Sequence, residues 1–137
     1  MKGMTLLEVL LVIALTAIIV VTGVFGYGAM QTSLSLRSAG DEIRSQLQLG
    51  RELAIANMNG VAYRIKSSGG VVILFGGDRE IKRFQMPVGI SSSPSVFDWG
   101  FSSVTGSLIG CSLPCTIGLS ARGGSELITI RANGIVD

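Results

Sequence analysis

The residues able to do chemistry are few and far apart. Glu8 stands alone inside an apolar run. Cys111 and Cys115 enclose Ser112-Leu113-Pro114. Arg79, Lys82 and Arg83 cluster with Asp78 and Glu80. No histidine occurs, which removes His-based general acid–base chemistry, Ser-His-Asp triads and most zinc sites. Of the other acidic residues beyond the first helix, Asp98 and Glu126 are single and Asp137 is the last residue. There is no G-x-S-x-G, and Gly69-Gly70 and Gly76-Gly77 read as turn glycines rather than a phosphate cradle. The pattern predicts no enzyme, no metal site and no cofactor.

The setting of Glu8 is the most informative feature. From Met4 to Val24 the chain is apolar apart from Thr5, Glu8, Thr16, Thr22 and Gly23. Such a run can cross a bilayer, since roughly 20 residues at about 1.5 Å rise span about 30 Å. A carboxylate inside it costs about 2.5–3.5 kcal/mol, so a chain that keeps one uses it. A secretory signal has an apolar region of about 7–15 residues followed by a small-residue cleavage site. This run is longer, and a cut near Tyr27-Gly28-Ala29 leaves Glu8 unexplained.

The stretch Gly3-Met4-Thr5-Leu6-Leu7-Glu8-Val9-Leu10-Leu11-Val12-Ile13-Ala14 resembles the processing signature of type IV prepilins and pseudopilins. The resemblance implies a cut between Gly3 and Met4 by a membrane prepilin peptidase, N-methylation of Met4, and Glu8 as an assembly residue. Met4 replaces the family's usual Phe, and Phe25 stands where a Pro is usual. The residues themselves agree with an assembly role. After cleavage the Met4 amine lies about 6 Å along the helix from Glu8. An axial offset between two such helices would bring one chain's amine to the other's carboxylate, giving each charge a partner. Glu8 pairing with its own amine, or favouring the helix N-terminus, is the plainer alternative. The implied partners are the prepilin peptidase, other pilin or pseudopilin subunits, the inner-membrane assembly platform, and membrane lipid before assembly. Lys2, before the span, and the resemblance together place the N-terminus in the cytoplasm of a bacterium and the following domain outside it.

The elements follow from periodicity. Leu36, Ala39, Ile43, Leu47, Gly50 and Ala54 form one helical face. Arg37, Asp41, Arg44, Gln48 and Arg51 fall opposite it, with Arg37–Asp41 and Asp41–Arg44 at pairing distances. Asn57-Met58-Asn59-Gly60 is a stop signal. One helix from Met4 to about Asn57 is therefore expected, with a weak zone at Gly23–Gly28, where each Gly costs up to about 1 kcal/mol. That zone reads equally as a membrane exit or as a segment that bends on assembly. Beyond Gly60 the period becomes strand-like. Strands are expected at Val61–Ile65, Val71–Phe75, Ile81–Gln85, Val96–Phe101, Thr116–Ser120 and Leu127–Arg131, with Ser91–Ser95 as a loop and Ser102–Pro114 irregular.

The fold class expected is α+β. A long N-terminal helix, membrane-spanning in its first half and amphipathic in its second, packs on a small antiparallel β-sheet domain. Residues 1–3 read as leader, 4–28 as span and 29–137 as soluble domain. The order of elements, with Phe97 and Phe101 and a close on Gly134-Ile135-Val136, resembles the GspH/FimT-like minor pilins and pseudopilins and implies their pilin fold.

Four readings compete for Cys111 and Cys115. A metal site lacks ligands, and a redox pair would have two residues between the thiols. A structural disulfide fits best if the domain lies on the oxidising side of the membrane; free thiols are the remaining reading. For function, a structural filament subunit of a type II secretion pseudopilus or type IV pilus leads. The alternative is a DNA-receptor minor pilin. DNA binding wants a basic stripe, and the net charge is only +2. Arg79, Lys82 and Arg83 are the one cluster for DNA or partner contacts, and interleaved acids argue against nucleic acid.

Overall fold

A computed structural model describes residues 5–56, 60–131 and 133–137. One α-helix, α1, runs over Leu6–Ala56, 51 residues without interruption, about 76 Å at the standard rise. Eight strands follow: β1 Tyr63–Ser68, β2 Val71–Gly76, β3 Arg79–Gln85, β4 Ser91–Ser93, β5 Phe97–Phe101, β6 Leu108–Ile109, β7 Cys115–Ala121 and β8 Gly124–Ile130. The architecture is α+β, and every strand pairing is antiparallel.

The strands form two sheets, a division the expectation of an antiparallel β-sheet domain did not specify. One has the order β3-β2-β1-β5-β6, the other β4-β7-β8. The chain crosses between them repeatedly, because β4 leaves the first sheet and β5 returns to it. Ser91–Ser95 was expected as a loop, but Ser91–Ser93 pairs with Gly118–Ser120 as an edge strand. Serine carries little strand propensity, so only the partner strand reveals β4. The Leu108–Ile109 pairing with Gly100–Phe101 likewise lies inside the stretch expected to be irregular. The meander β1–β2–β3 is as expected, although β1 extends to Ser68 and β3 begins at Arg79. The β1–β2 turn shrinks to Gly69-Gly70, both at positive φ, where glycine carries no Cβ penalty.

The core lies between the second half of α1 and the inner sheet faces. All six positions of the expected helical face are buried. They meet Tyr63, Ile65, Val72, Leu74, Phe97, Trp99, Phe101, Ile117, Leu119, Ile128 and Ile130. Phe97 and Trp99 stack at 4.4 Å between ring centroids. Two helix positions outside that face are also buried: Gly40 and Gln46, the latter fully. Arg51, expected opposite the core, is half-buried instead. Its Cγ lies 2.7 Å and its Nε 3.0 Å from where a Cβ at Gly106 and Gly134, respectively, would stand.

The first half of α1 is different. Leu6–Gly23 has mean hydropathy 2.6 and none of it is buried. It is long and apolar enough to cross a membrane. The glycine-containing zone after it stays helical in backbone.

Candidate functional site

The expected cleavage and methylation positions, Gly3 and Met4, lie outside the described residues. Glu8 is described and exposed, in the first turn of α1. Its backbone N–H donates to the Thr5 carbonyl at 3.0 Å and to Thr5 Oγ1 at 3.4 Å. Thr5 thus caps the helix from the residue before its first turn, satisfying one of the donors a helix start leaves free. The Thr5-x-x-Glu8 spacing is a capping-box pattern, a signal in the sequence that the periodicity reading passed over.

The other polar side chains of the span are satisfied within the helix. Thr16 Oγ1 donates to the Val12 carbonyl at 2.7 Å, and Thr22 Oγ1 to that of Ile18 at 3.0 Å. Hydroxyls bonded back to their own helix carry little further polar demand. The Glu8 carboxylate makes no hydrogen bond or ion pair among the described residues. It is the one ionisable group of Leu6–Gly23, and it points outward on a surface that is otherwise hydrocarbon.

Cys111 and Cys115 are joined by a disulfide, with Cα atoms 5.8 Å apart, inside the usual range of about 4.4–6.8 Å. Its position adds a role that the spacing did not show. Cys111 follows β6 of the five-stranded sheet, and Cys115 opens β7 of the three-stranded sheet. The bond therefore fastens the crossover between the sheets, with Cys115 buried in the core.

The basic cluster does not form a free cationic surface. Lys82 Nζ reaches Glu42 Oε1 on α1 at 2.7 Å. Arg83 holds Glu80 with two hydrogen bonds, at 2.9 and 2.7 Å. Those bonds and the adjacent positive charge hold the Glu80 carboxyl below its usual range and raise Arg83. Arg79 is exposed and makes no ion pair among the described residues. Two of the three basic residues singled out in the sequence are thus neutralised by near neighbours. Asp78, Asp98 and Glu126 do not converge, and no group of three or more His, Cys, Asp or Glu among the described residues could hold a metal.

Glu126 has a structural setting instead. Arg44 Nη1 lies 2.6 Å from Glu126 Oε1 and 3.3 Å from Asp41 Oδ1. The Glu126 carboxylate sits against Gly40, where a Cβ would stand 2.7 Å from both its oxygens. The pair ties α1 to β8 and explains why Gly40 is buried. Sequence spacing could place Arg44 near Asp41 but not near a residue in the last strand.

No protein-family model, no curated protein and no solved structure matches this chain.

Proposed function

We propose that this chain is a filament subunit, a minor pilin or pseudopilin of a type IV pilus or type II secretion pseudopilus, held in the bacterial inner membrane before assembly. The observation that carries the reading is the division of α1 into two halves. Its second half is built into the core of an α+β domain. Its first half projects uncovered, apolar on every side, with a single outward-facing carboxylate near its start. A helix apolar all round needs lipid or other helices around it, and its satisfied threonines leave Glu8 as the group that needs a partner.

In this reading the prepilin peptidase removes residues 1–3 and the new amine of Met4 is methylated. Lateral transfer from lipid into a filament then replaces acyl chains with the spans of neighbouring subunits. Hydrophobic transfer drives that exchange little, since lipid is as apolar as leucine, so side-chain packing and polar pairing between helices must drive it. The amine–carboxylate pairing between offset subunits supplies the register. The domain faces the periplasm, where the Cys111–Cys115 bond is stable. The ion-paired state of Lys82 and Arg83 favours the structural role over DNA reception.

Intact-mass measurement and N-terminal sequencing of the protein from native membranes test the reading. A chain beginning with N-methyl-Met4 is the expected result. A chain beginning at Met1, or cut after Ala29, would sink it.

A further inference from the structure

Where α1 leaves its apolar span, the domain presents a groove that no reading so far uses. It has a volume of about 290 Å³ and is lined by Gly28 and Thr32 of α1, by Val88, Gly89 and Ile90 before β4, and by Arg122 of the β7–β8 turn. Val88 is fully exposed, at 106%. Arg122 is exposed and makes no ion pair among the described residues. The lining contains no acidic side chain. Just beyond it, Gly124 packs on Leu36, with 3.5 Å between a Cβ at Gly124 and Leu36 Cδ2. The β7–β8 turn is thereby held at this end of the domain.

The level of the groove is set by the helix. A hydrocarbon layer of about 30 Å takes about 20 residues. Counted from Leu6, it ends about three residues before Gly28, so Gly28 lies about 4–5 Å beyond it. The headgroup layer on each face is about 5–7 Å deep, and spans tilt by about 20° on average. The helix side of the groove runs from Gly28 to Ser35, so its near end lies at headgroup level and its far end about 10 Å higher; a tilt toward this side brings the protruding Val88 and the unpaired Arg122 down to the headgroups. An apolar side chain beside an unpaired guanidinium suits the boundary between phosphate and acyl chain.

We infer that this end of the domain is a lipid-docking surface. Arg122 engages the phosphate of an anionic phospholipid and Val88 enters the interface, fixing how the domain stands on the bilayer before assembly. The inference rests on α1 crossing the membrane, and the test separates the two. Because assembly withdraws the span from lipid, the contact would be released as a subunit enters a filament.

The test uses the full chain reconstituted in vesicles of phosphatidylcholine, with or without phosphatidylglycerol, the Cys111–Cys115 bond being kept oxidised. A fluorophore on Ser125→Cys, beside the turn, leaves Val88 and Arg122 intact. The same fluorophore on Ser103→Cys marks the far end of the domain, and on Ile13→Cys the span. Nitroxides on lipid headgroups should quench the Ser125→Cys label well above the Ser103→Cys label, and more strongly with phosphatidylglycerol. Arg122→Ala should lower the docked-to-undocked ratio about fivefold in anionic vesicles, the gain one basic residue makes at such a surface. Val88→Asp should also reduce quenching. Acyl-chain nitroxides should quench Ile13→Cys in every variant. Quenching of Ile13→Cys with equal quenching of the two domain labels, or insensitivity to Arg122→Ala, overturns the docking alone. Failure to quench Ile13→Cys overturns both the span and the docking.

Discussion

The ring of Phe101 occupies the space a side chain at Gly50 would need: a Cβ there would stand 2.6 Å from Phe101 Cε2 and 2.9 Å from Leu74 Cδ1. The contact lets α1 closely approach β2 and β5, the two strands that flank the central β1 of the larger sheet. Alanine would gain up to about 1 kcal/mol of helix propensity, but overpacking a filled core costs about 1–3 kcal/mol. Gly50→Ala should therefore be destabilising by about 1 kcal/mol net, read from urea unfolding followed by the fluorescence of buried Trp99. An unchanged midpoint would mean that the ring moves aside freely.

The Gly40 approach to Glu126 makes a coupled prediction. A methyl at position 40 must displace the carboxylate that Arg44 holds. The pair is half-buried, so its coupling should be about 1 kcal/mol, at the top of the usual range for exposed pairs. Arg44→Ala should cost less in a Gly40→Ala background than in the parent chain. A double-mutant cycle by thermal unfolding measures this directly; strict additivity would contradict the displacement.

Breaking the disulfide should loosen the junction between the sheets without abolishing the fold. The closed loop is short, so the chain-entropy contribution is about 2 kcal/mol. Replacing Cys111 and Cys115 together by serine, or reducing them, should lower the unfolding free energy from urea titration by about 2 kcal/mol. Retained strand content in circular dichroism would show that the core persists.

Glu80 and Arg83 give a pH dependence with a defined sign. Glu80 titrates lower in the folded chain than in the unfolded one. The contribution is therefore present above the ordinary carboxylate pKa and is lost as pH falls through the depressed folded value. Carboxyl-carbon NMR titration should show the Glu80 midpoint rising towards the ordinary value in Arg83→Gln. An unmoved midpoint would show that the pair does not persist in solution.

Glu8→Ala should insert and be processed normally yet enter filaments poorly, if the carboxylate selects register between subunits. Filament shear fractions and membrane fractions, probed in parallel, distinguish failed assembly from failed insertion. Incorporation at the parent level would remove the assembly role. The cap made by Thr5 explains why insertion should survive, since it satisfies the Glu8 backbone N–H rather than requiring its side chain.

Much of the architecture was legible because it depends on period alone. The six apolar positions from Leu36 to Ala54 all proved buried. The switch to alternation after Gly60 marked the start of the strands. Boundaries slipped where polar residues continue a strand, as at Ser67 and Ser68 of β1. β4 was missed because Ser91–Ser93 carries no apolar signal, and its strand geometry comes from pairing with β7. Of the candidate site, the isolation of Glu8 and the pairing of the cysteines were readable. The neutralisation of Lys82 was not, since Glu42 lies on a different element, 40 residues away in sequence.

The sequence by itself determined those features whose causes are local. These are an apolar run long enough to cross a bilayer, one carboxylate within it, an amphipathic continuation of the same helix, and strands punctuated by glycine turns. Periodicity and transfer free energy act over a few residues at a time, so a single chain displays them directly. Only the tertiary structure decided the split into two sheets, the disulfide's place across their junction, the Arg44–Glu126 tie that Gly40 accommodates, and the meeting of Val88 with Arg122 beside the end of the span. Each of these depends on how elements distant in the chain lie against one another, which exists only after the core has formed.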